Sequence, residues 1–276
     1  MKNIIIFKRV ANVSAIGLLL LLTLSVLGCG KEAKQETLLI AGSSTMLPYM
    51  EKLEEGFKKI HPNILIESDG GGSATGIIAV KRNAIDLATM SREVKREEDD
   101  PYIKDYMVAK DALSIVVHPS NSVDRINKDQ IRDIFTGKIN NWRQLGGSDA
   151  PIVLIGRKKG STTRKGMDEM VLGGNDFAKS IANAESATKL AETVAANPNA
   201  IGYLALKDLN NSIKSLEING VAINRESILS GHYPLSRSFY LVIYDKPKAG
   251  IQKFLDFVLS KEGQAILEHE GLIKVN

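Results

Sequence analysis

Short apolar runs rich in β-branched residues alternate with amphipathic stretches along most of this chain. Thr37 to Ala41 (TLLIA) predicts a buried strand. After it, Met50, Leu53, Phe57 and Ile60 recur at helical spacing, with Glu51, Lys52, Glu54, Glu55, Lys58 and Lys59 between them. That pattern predicts an amphipathic helix ended by His61-Pro62, because proline pushes the residue before it out of the helical region. Ile64 to Glu67 predicts a second strand, Ile77 to Lys81 a second helix, and Ile85 to Ala88 a third strand. Ala112 to Val117 (ALSIVV), Pro151 to Ile155 (PIVLI), Ala200 to Leu204 (AIGYL) and Ser238 to Tyr244 (SFYLVIY) also read as strands. Asn127 to Phe135 predicts a short capped helix, and a closing helix carries Ile251, Phe254, Leu255, Val258 and Leu259 on one side. Strands alternating with helices predict an α/β fold with a mainly parallel sheet. The order predicts two interleaved lobes: residues 37–116 plus 238–276 form lobe 1, and residues 117–237 form lobe 2.

Three short polar loops follow apolar runs and open predicted helices. They are Gly42-Ser43-Ser44-Thr45, Gly70-Gly71-Gly72-Ser73-Ala74-Thr75-Gly76, and Arg157-Lys158-Lys159-Gly160-Ser161-Thr162-Thr163. Glycine beside serine or threonine lets backbone N–H groups and hydroxyls approach a small anion closely, and a helix N-terminus adds a favourable field. Any one of these loops is explained equally well as a helix cap or a turn. Three of them at the strand ends, where α/β folds place ligands, point to a cage for a compact tetrahedral oxyanion. Arg157 adds a forked donor that a lysine could not copy.

The first 28 residues stand apart. Lys2, Lys8 and Arg9 precede an apolar run from Ile16 to Leu27 that stops at Gly28-Cys29. This is the pattern of a secretory signal. Cys29 is the only cysteine among 276 residues, so it has no disulfide partner within the chain. Val26-Leu27-Gly28-Cys29 is similar to the lipidation signal of bacterial lipoproteins; an uncleaved anchor is the alternative. Either places the folded part outside the cytoplasmic membrane, with residues 29–36 as a polar tether. Of the formal charge of +4, three positive charges lie in residues 1–28, which leaves the remainder at +1 (4 − 3). A near-neutral chain gives no case for nucleic-acid binding, and an aromatic content of 5% argues against a stacked sugar or nucleobase site.

Together, Gly42 to Thr45, the GGGSATG stretch, Ile85 to Arg92 (IDLATMSR), Ile134 to Trp142 (IFTGKINNW), Gly156 to Thr163 and Ala200 to Leu204 resemble the phosphate-binding proteins of Pst-type ABC importers. The likeness spans roughly residues 37–275. It implies a two-lobed periplasmic-binding-protein fold (type II) with the anion in the cleft between lobes. It places Ser44, Thr45 and Met46 of the first loop, Ser73 of the second, and Arg157, Ser161, Thr162 and Thr163 of the third at the ligand. It implies inorganic phosphate as the ligand, ABC permease and ATPase subunits as partners, a lipid anchor at Cys29, a monomer, and no cofactor or metal. Two departures stand out. The third loop reads Ser161-Thr162-Thr163 where relatives often have Ser-Gly-Thr. Arg92 stands where many relatives carry an aspartate that accepts the proton of hydrogen phosphate, a proton sulfate lacks. Arg92 is then either another donor to the anion or a surface residue paired with Glu93 or Glu97. Ser44, Ser73, Ser161 and Asp69 are other conceivable acceptors.

Other function classes predict different residues. A phosphohydrolase needs a base beside its nucleophile or a metal cluster. His61, His118, His232 and His269 are scattered, and no Walker loop is present. Sulfate, molybdate or tungstate would fit the same loops. A signalling or adhesion lipoprotein of the same fold would keep the architecture without transport.

Overall fold

The computed structural model describes residues 35–275. Cys29 and the signal and tether readings therefore lie outside the described residues, apart from the last two tether positions. From residue 37 on, the described residues form one compact unit.

The chain opens with β1 (Glu36–Gly42), α1 (Leu47–Ile60), β2 (Ile64–Gly70), α2 (Ser73–Lys81) and β3 (Leu87–Met90). In α1 the apolar face predicted from spacing is buried through Tyr49, Met50, Leu53 and Phe57, and His61 ends the helix. Phe57 meets Phe254 edge-on at 5.2 Å between ring centres. A 15-residue strand, β4 (Ile103–Val117), follows. Next come β5 (Arg125–Ile126), α3 (Lys128–Phe135), β6 (Val153–Arg157), α4 (Thr162–Met167), β7 (Ala182–Ala184), α5 (Ala187–Ala195) and β8 (Ala200–Ala205). Asn127 and Gln130 cap α3 reciprocally, each side chain bonding the other's backbone N–H. The chain closes with β9 (Lys214–Ser215), β10 (Glu217–Ile218), α6 (Arg225–Leu229), β11 (Ser236–Tyr244), α7 (Ala249–Leu259), α8 (Lys261–His269) and β12 (Ile273–Lys274). The single predicted closing helix is two helices, because Ser260 caps the second.

The main sheet runs β2-β1-β3-β11-β4-β8-β6-β7, with β9 and β12 also paired to β4. The β1–β3, β6–β7 and β6–β8 pairs are parallel. β11 is antiparallel to β3 and β4, and β4 is antiparallel to β8, β9 and β12. The sheet is thus mixed where alternation predicts a mainly parallel one. Parallel pairs lie on either side of the middle, and the two long strands in the middle run against their neighbours.

Those two strands organise the core. Residues 103–112 of β4 pair with β11, and residues 113–117 pair with β8. The buried clusters divide at the same place. Val108 and Ala109 pack with Leu38, Met50, Phe57, Phe239 and Phe254. Ala112, Leu113 and Ile115 pack with Phe135, Trp142, Tyr203 and Tyr233. Trp142 is 1% exposed and donates through its indole N–H to Asn199 O at 3.0 Å, which makes it a core residue.

Candidate functional site

The first loop leaves β1 at Gly42, where only glycine fits. Its φ is +144°, and a Cβ there would lie 2.2 Å from Thr89 O. The chain is pinned against β3 by Ser43 N–H donating to Thr89 O at 2.8 Å. The second loop closes on the same point. Gly72 N–H donates to Gly42 O at 2.7 Å, and Gly71 N–H to Ser44 Oγ at 3.3 Å. A Cβ on Gly76 would lie 2.8 Å from Gly42 Cα, so α2 packs directly on the first loop. Ser73 opens α2, and its Oγ accepts from Ser91 N–H at 3.2 Å. The first loop, the second loop and the end of β3 therefore form one cluster of amides and hydroxyls. Ser44 is exposed, whereas Thr45 and Met46 are buried. Met46 N–H donates to Ser43 O at 3.0 Å.

The third loop joins β6 to α4. Ser161 Oγ accepts from Arg164 N–H at 3.4 Å, the capping role its position predicts. Arg157 is fixed through its backbone: its N–H donates to Tyr203 Oη at 3.1 Å, and its O accepts from Arg164 Nη1 at 2.8 Å. The side chain behaves differently. Among the described residues, Arg157 Nε is buried and has no hydrogen-bond partner. A buried donor left unpaired costs about 1–3 kcal/mol. Arg157, Ser161, Thr162 and Thr163 line a cavity of about 350 Å³, together with Tyr49 of α1, Asp111 of β4, and Lys207 and Asp208 after β8. Tyr49 of α1 and Thr162 of α4 thus share a wall of this cavity. Burial, and then the Asp111 charge, push the Tyr49 phenol well up. Burial raises Tyr203 to about 12, partly offset by the Arg157 N–H it accepts.

A second link joins Thr45 to the far side of the site. Thr45 Oγ1 donates to Glu169 Oε1 at 2.5 Å. Glu169 Oε2 pairs with Arg237 Nη1. Arg237 also grips Asp111 Oδ2 through Nε at 3.0 Å and Nη2 at 2.8 Å. Asp111 and Arg237 face each other directly across β4 and β11. Both side chains are 8% exposed, so each carries the other's charge in a largely dry setting. The first loop thus holds the second through Gly42 O and Ser44 Oγ, and reaches Glu169 through Thr45.

Arg92 takes neither predicted acidic partner. Its two terminal nitrogens reach the two Glu98 oxygens, each at 2.6 Å, and Nη1 also donates to Glu93 O at 2.8 Å. This fork holds Glu98 well below the usual carboxylate range, the Arg92 hydrogen bonds being the main cause. Asp69 is exposed and accepts from its neighbour Gly70 N–H at 2.7 Å. Among the described residues no cluster of His, Cys, Asp or Glu could hold a metal ion. Nor is any described helix long and apolar enough to cross a membrane.

This geometry can be set beside known proteins. The PBP superfamily domain matches residues 30–262. The phosphate-binding protein PstS of Bacillus subtilis is 34% identical over 252 residues, covering 89% of this chain and 83% of that protein. The chain belongs to the PstS family of the PBP superfamily. PstS from Borrelia burgdorferi superposes with a TM-score of 0.72 at 26% identity, covering 87% of this chain and 99% of that one. A putative phosphate ABC transporter substrate-binding protein from Clostridium perfringens, solved with bound phosphate, gives a TM-score of 0.56 at 34% identity, covering 87% of this chain and 100% of that one. The PstS relatives are substrate-binding proteins, and the fold is the two-lobed α/β architecture of that superfamily.

Three residues at this PstS-like site escape a reading of the sequence alone. Glu169 lies in a stretch (MDEMV) with no local signal. Arg237 precedes a β-rich run without distinction. Asp111 does carry a signal: Lys110 and Asp111 interrupt the mostly apolar run from Met107 to Val117. Charges buried in a strand need partners. Lys110 finds Ile228 O at 3.2 Å, and Asp111 finds Arg237.

Proposed function

We propose that this chain is an extracytoplasmic lipoprotein that captures inorganic phosphate between two lobes and delivers it to the permease and ATPase of an ABC importer. Arg157 carries the reading. Its buried, unpartnered Nε lines a cavity that also presents Ser161, Thr162 and Thr163. An arginine held by its backbone with its fork left free is built for an anion that accepts two bonds at once. Phosphate is the anion bound in the Clostridium perfringens structure, and the Bacillus subtilis relative is named for binding it.

In this reading the anion is held by Ser44, Thr45, the Met46 backbone, Ser73, Arg157, Ser161, Thr162 and Thr163, while Arg92 is engaged by Glu98. The lobes are 37–116 plus 238–276, and 117–237, with β4 and β11 running between them. Phosphate would stabilise the arrangement in which both lobes contact it, and the permease would reopen it. Cys29 carries the lipid that keeps the monomeric protein at the membrane. The protein binds and releases its ligand without chemistry.

Charge-assisted bonds contribute about 1.5–3 kcal/mol each, and micromolar affinity needs about 8 kcal/mol. Four or five such bonds reach that level before the cost of ordering the lobes is subtracted. Calorimetry on protein unfolded, dialysed and refolded in phosphate-free buffer tests the proposal. Phosphate is expected to bind at micromolar Kd or tighter, and above sulfate, molybdate and tungstate. Heat from another anion alone, or from none, would overturn it.

A further inference from the structure

Thr45 brings a hydroxyl to the first loop at 2% exposure, and a buried hydroxyl needs a partner. It has a single hydrogen to give. That hydrogen goes to Glu169 Oε1 at 2.5 Å, across 124 positions of sequence. The acceptor is a carboxylate, so the bond is short and charge-assisted, of the same kind as a bond to a phosphate oxygen.

The backbone aims Glu169 at this point. α4 packs tightly on the sheet at Gly166, where a Cβ would lie 3.0 Å from Leu113 Cδ1 and 3.5 Å from Arg237 Nη2. Glu169 stands three residues further on and shares that face. The chain there runs through a wider helical turn, Asp168–Leu172, closed by Gly173 N–H donating to Asp168 O at 3.0 Å. Widened turns of this kind recur at functional sites. Glu169 Oε2 pairs with Arg237 Nη1, while Nε and Nη2 of the same arginine stay on Asp111. The Glu169 carboxylate is therefore held as a bound oxyanion would be, one oxygen on an arginine nitrogen and the other on a loop hydroxyl.

We propose that Glu169 is an internal competitor of the anion: its carboxylate takes the Thr45 hydroxyl that phosphate needs, which lowers affinity and speeds release. This rests on the phosphate-binding reading above, which puts Thr45 at the anion, and adds to it the residue that opposes binding. Two effects act in the same direction. A phosphate oxygen that accepts from Thr45 must displace Glu169, because one hydrogen serves one short bond. The carboxylate also repels a second anion brought against the same loop, since Arg237 is shared between Glu169 and Asp111. No covalent bond changes; the hydroxyl exchanges one acceptor for another. Glu169 can let go at modest cost because its side chain is 39% exposed and water can reach the freed oxygen, whereas Asp111 at 8% is locked in place. A protein that must surrender its ligand is served by such a group, because affinity is tuned mostly through the dissociation rate.

The test is calorimetry, with a radiolabelled-phosphate chase for the release rate, on phosphate-stripped wild-type protein, Glu169→Ala and Glu169→Gln. Glu169→Ala frees the hydroxyl and removes the charge, so phosphate is expected to bind about tenfold tighter or more, chiefly through slower release. Glu169→Gln removes the charge but keeps an oxygen able to accept from Thr45, so its gain should be smaller than that of alanine. It also keeps the length of the side chain, so a tighter or looser Kd in this variant decides the matter even if the alanine variant does not fold. Phosphate affinity unchanged or weakened in the variants, with wild-type protein binding phosphate, would overturn the competition and leave the phosphate reading standing. Equal gains in the two variants would trace the effect to charge alone and overturn the competition for Thr45. Wild-type protein that binds no phosphate would overturn both.

Discussion

Replacing Arg157 separates binding from folding more cleanly than any other change in this protein. The Arg157 backbone is anchored to Tyr203 and Arg164, and those bonds survive a side-chain substitution. The guanidinium contributes little to the fold, since Nε has no partner and is buried at a cost. Arg157→Ala removes a fork able to make two charge-assisted bonds. At about 1.5–3 kcal/mol each, the loss is roughly 3–6 kcal/mol, or about two to four powers of ten in Kd. Arg157→Lys keeps the charge but offers one point instead of a fork, so it should lose about one bond and fall between wild type and alanine. Calorimetry gives the affinities, and thermal melting without phosphate gives the stability. The expected result is a steep, graded loss of affinity with a melting temperature equal to or above that of the wild type. Affinity unchanged in Arg157→Ala would remove the arginine from the site. A large drop in melting temperature would show that the side chain holds the fold together, contrary to its unpaired state.

Two further outcomes follow from the buried charges and phenols. Arg237→Met strands Asp111 at 8% exposure and frees Glu169, which should cost about 3–5 kcal/mol in urea denaturation. Adding Asp111→Leu should recover much of that loss, and an additive double mutant would contradict the pairing. Burial raises Tyr203 to about 12 and also pushes up Tyr49 and Tyr233. An unfolded tyrosine ionises near 10. The unfolded chain therefore releases protons first, and the stability these phenols contribute is complete below about pH 10 and lost as pH climbs toward 12. Denaturant titrations should show a falling midpoint across that window, and a flat one would refute the burial argument.

The three loops were legible because close approach restricts residue choice. Gly42 and Gly76 are glycines because backbone lies within 3 Å of where a Cβ would stand. Glycine beside serine or threonine shows in the sequence itself, so the three loops could be picked out before any geometry was known. Their ranking could not. Ser44 is exposed and Thr45 buried because Thr45 meets Glu169, a residue 124 positions away. The first part of β4 was hidden for a related cause. Lys104, Asp105, Lys110 and Asp111 break the apolar pattern, and the segment is a strand because β11, with Arg237 in register, completes it. The mixed sheet also follows from long-range pairing, since alternation of strands and helices says nothing of strands that join two cores. Arg92 was legible as a paired surface residue but not as the partner of Glu98, because the loop from 93 to 98 has no periodic pattern to place it.

A crystal structure grown with orthophosphate tests the central claim most directly. The account predicts one tetrahedral anion with oxygens in hydrogen-bond reach of Arg157, of Ser161 to Thr163, and of the cluster formed by the first two loops. An anion bound away from Arg157, or held by one loop while the others face elsewhere, would contradict it.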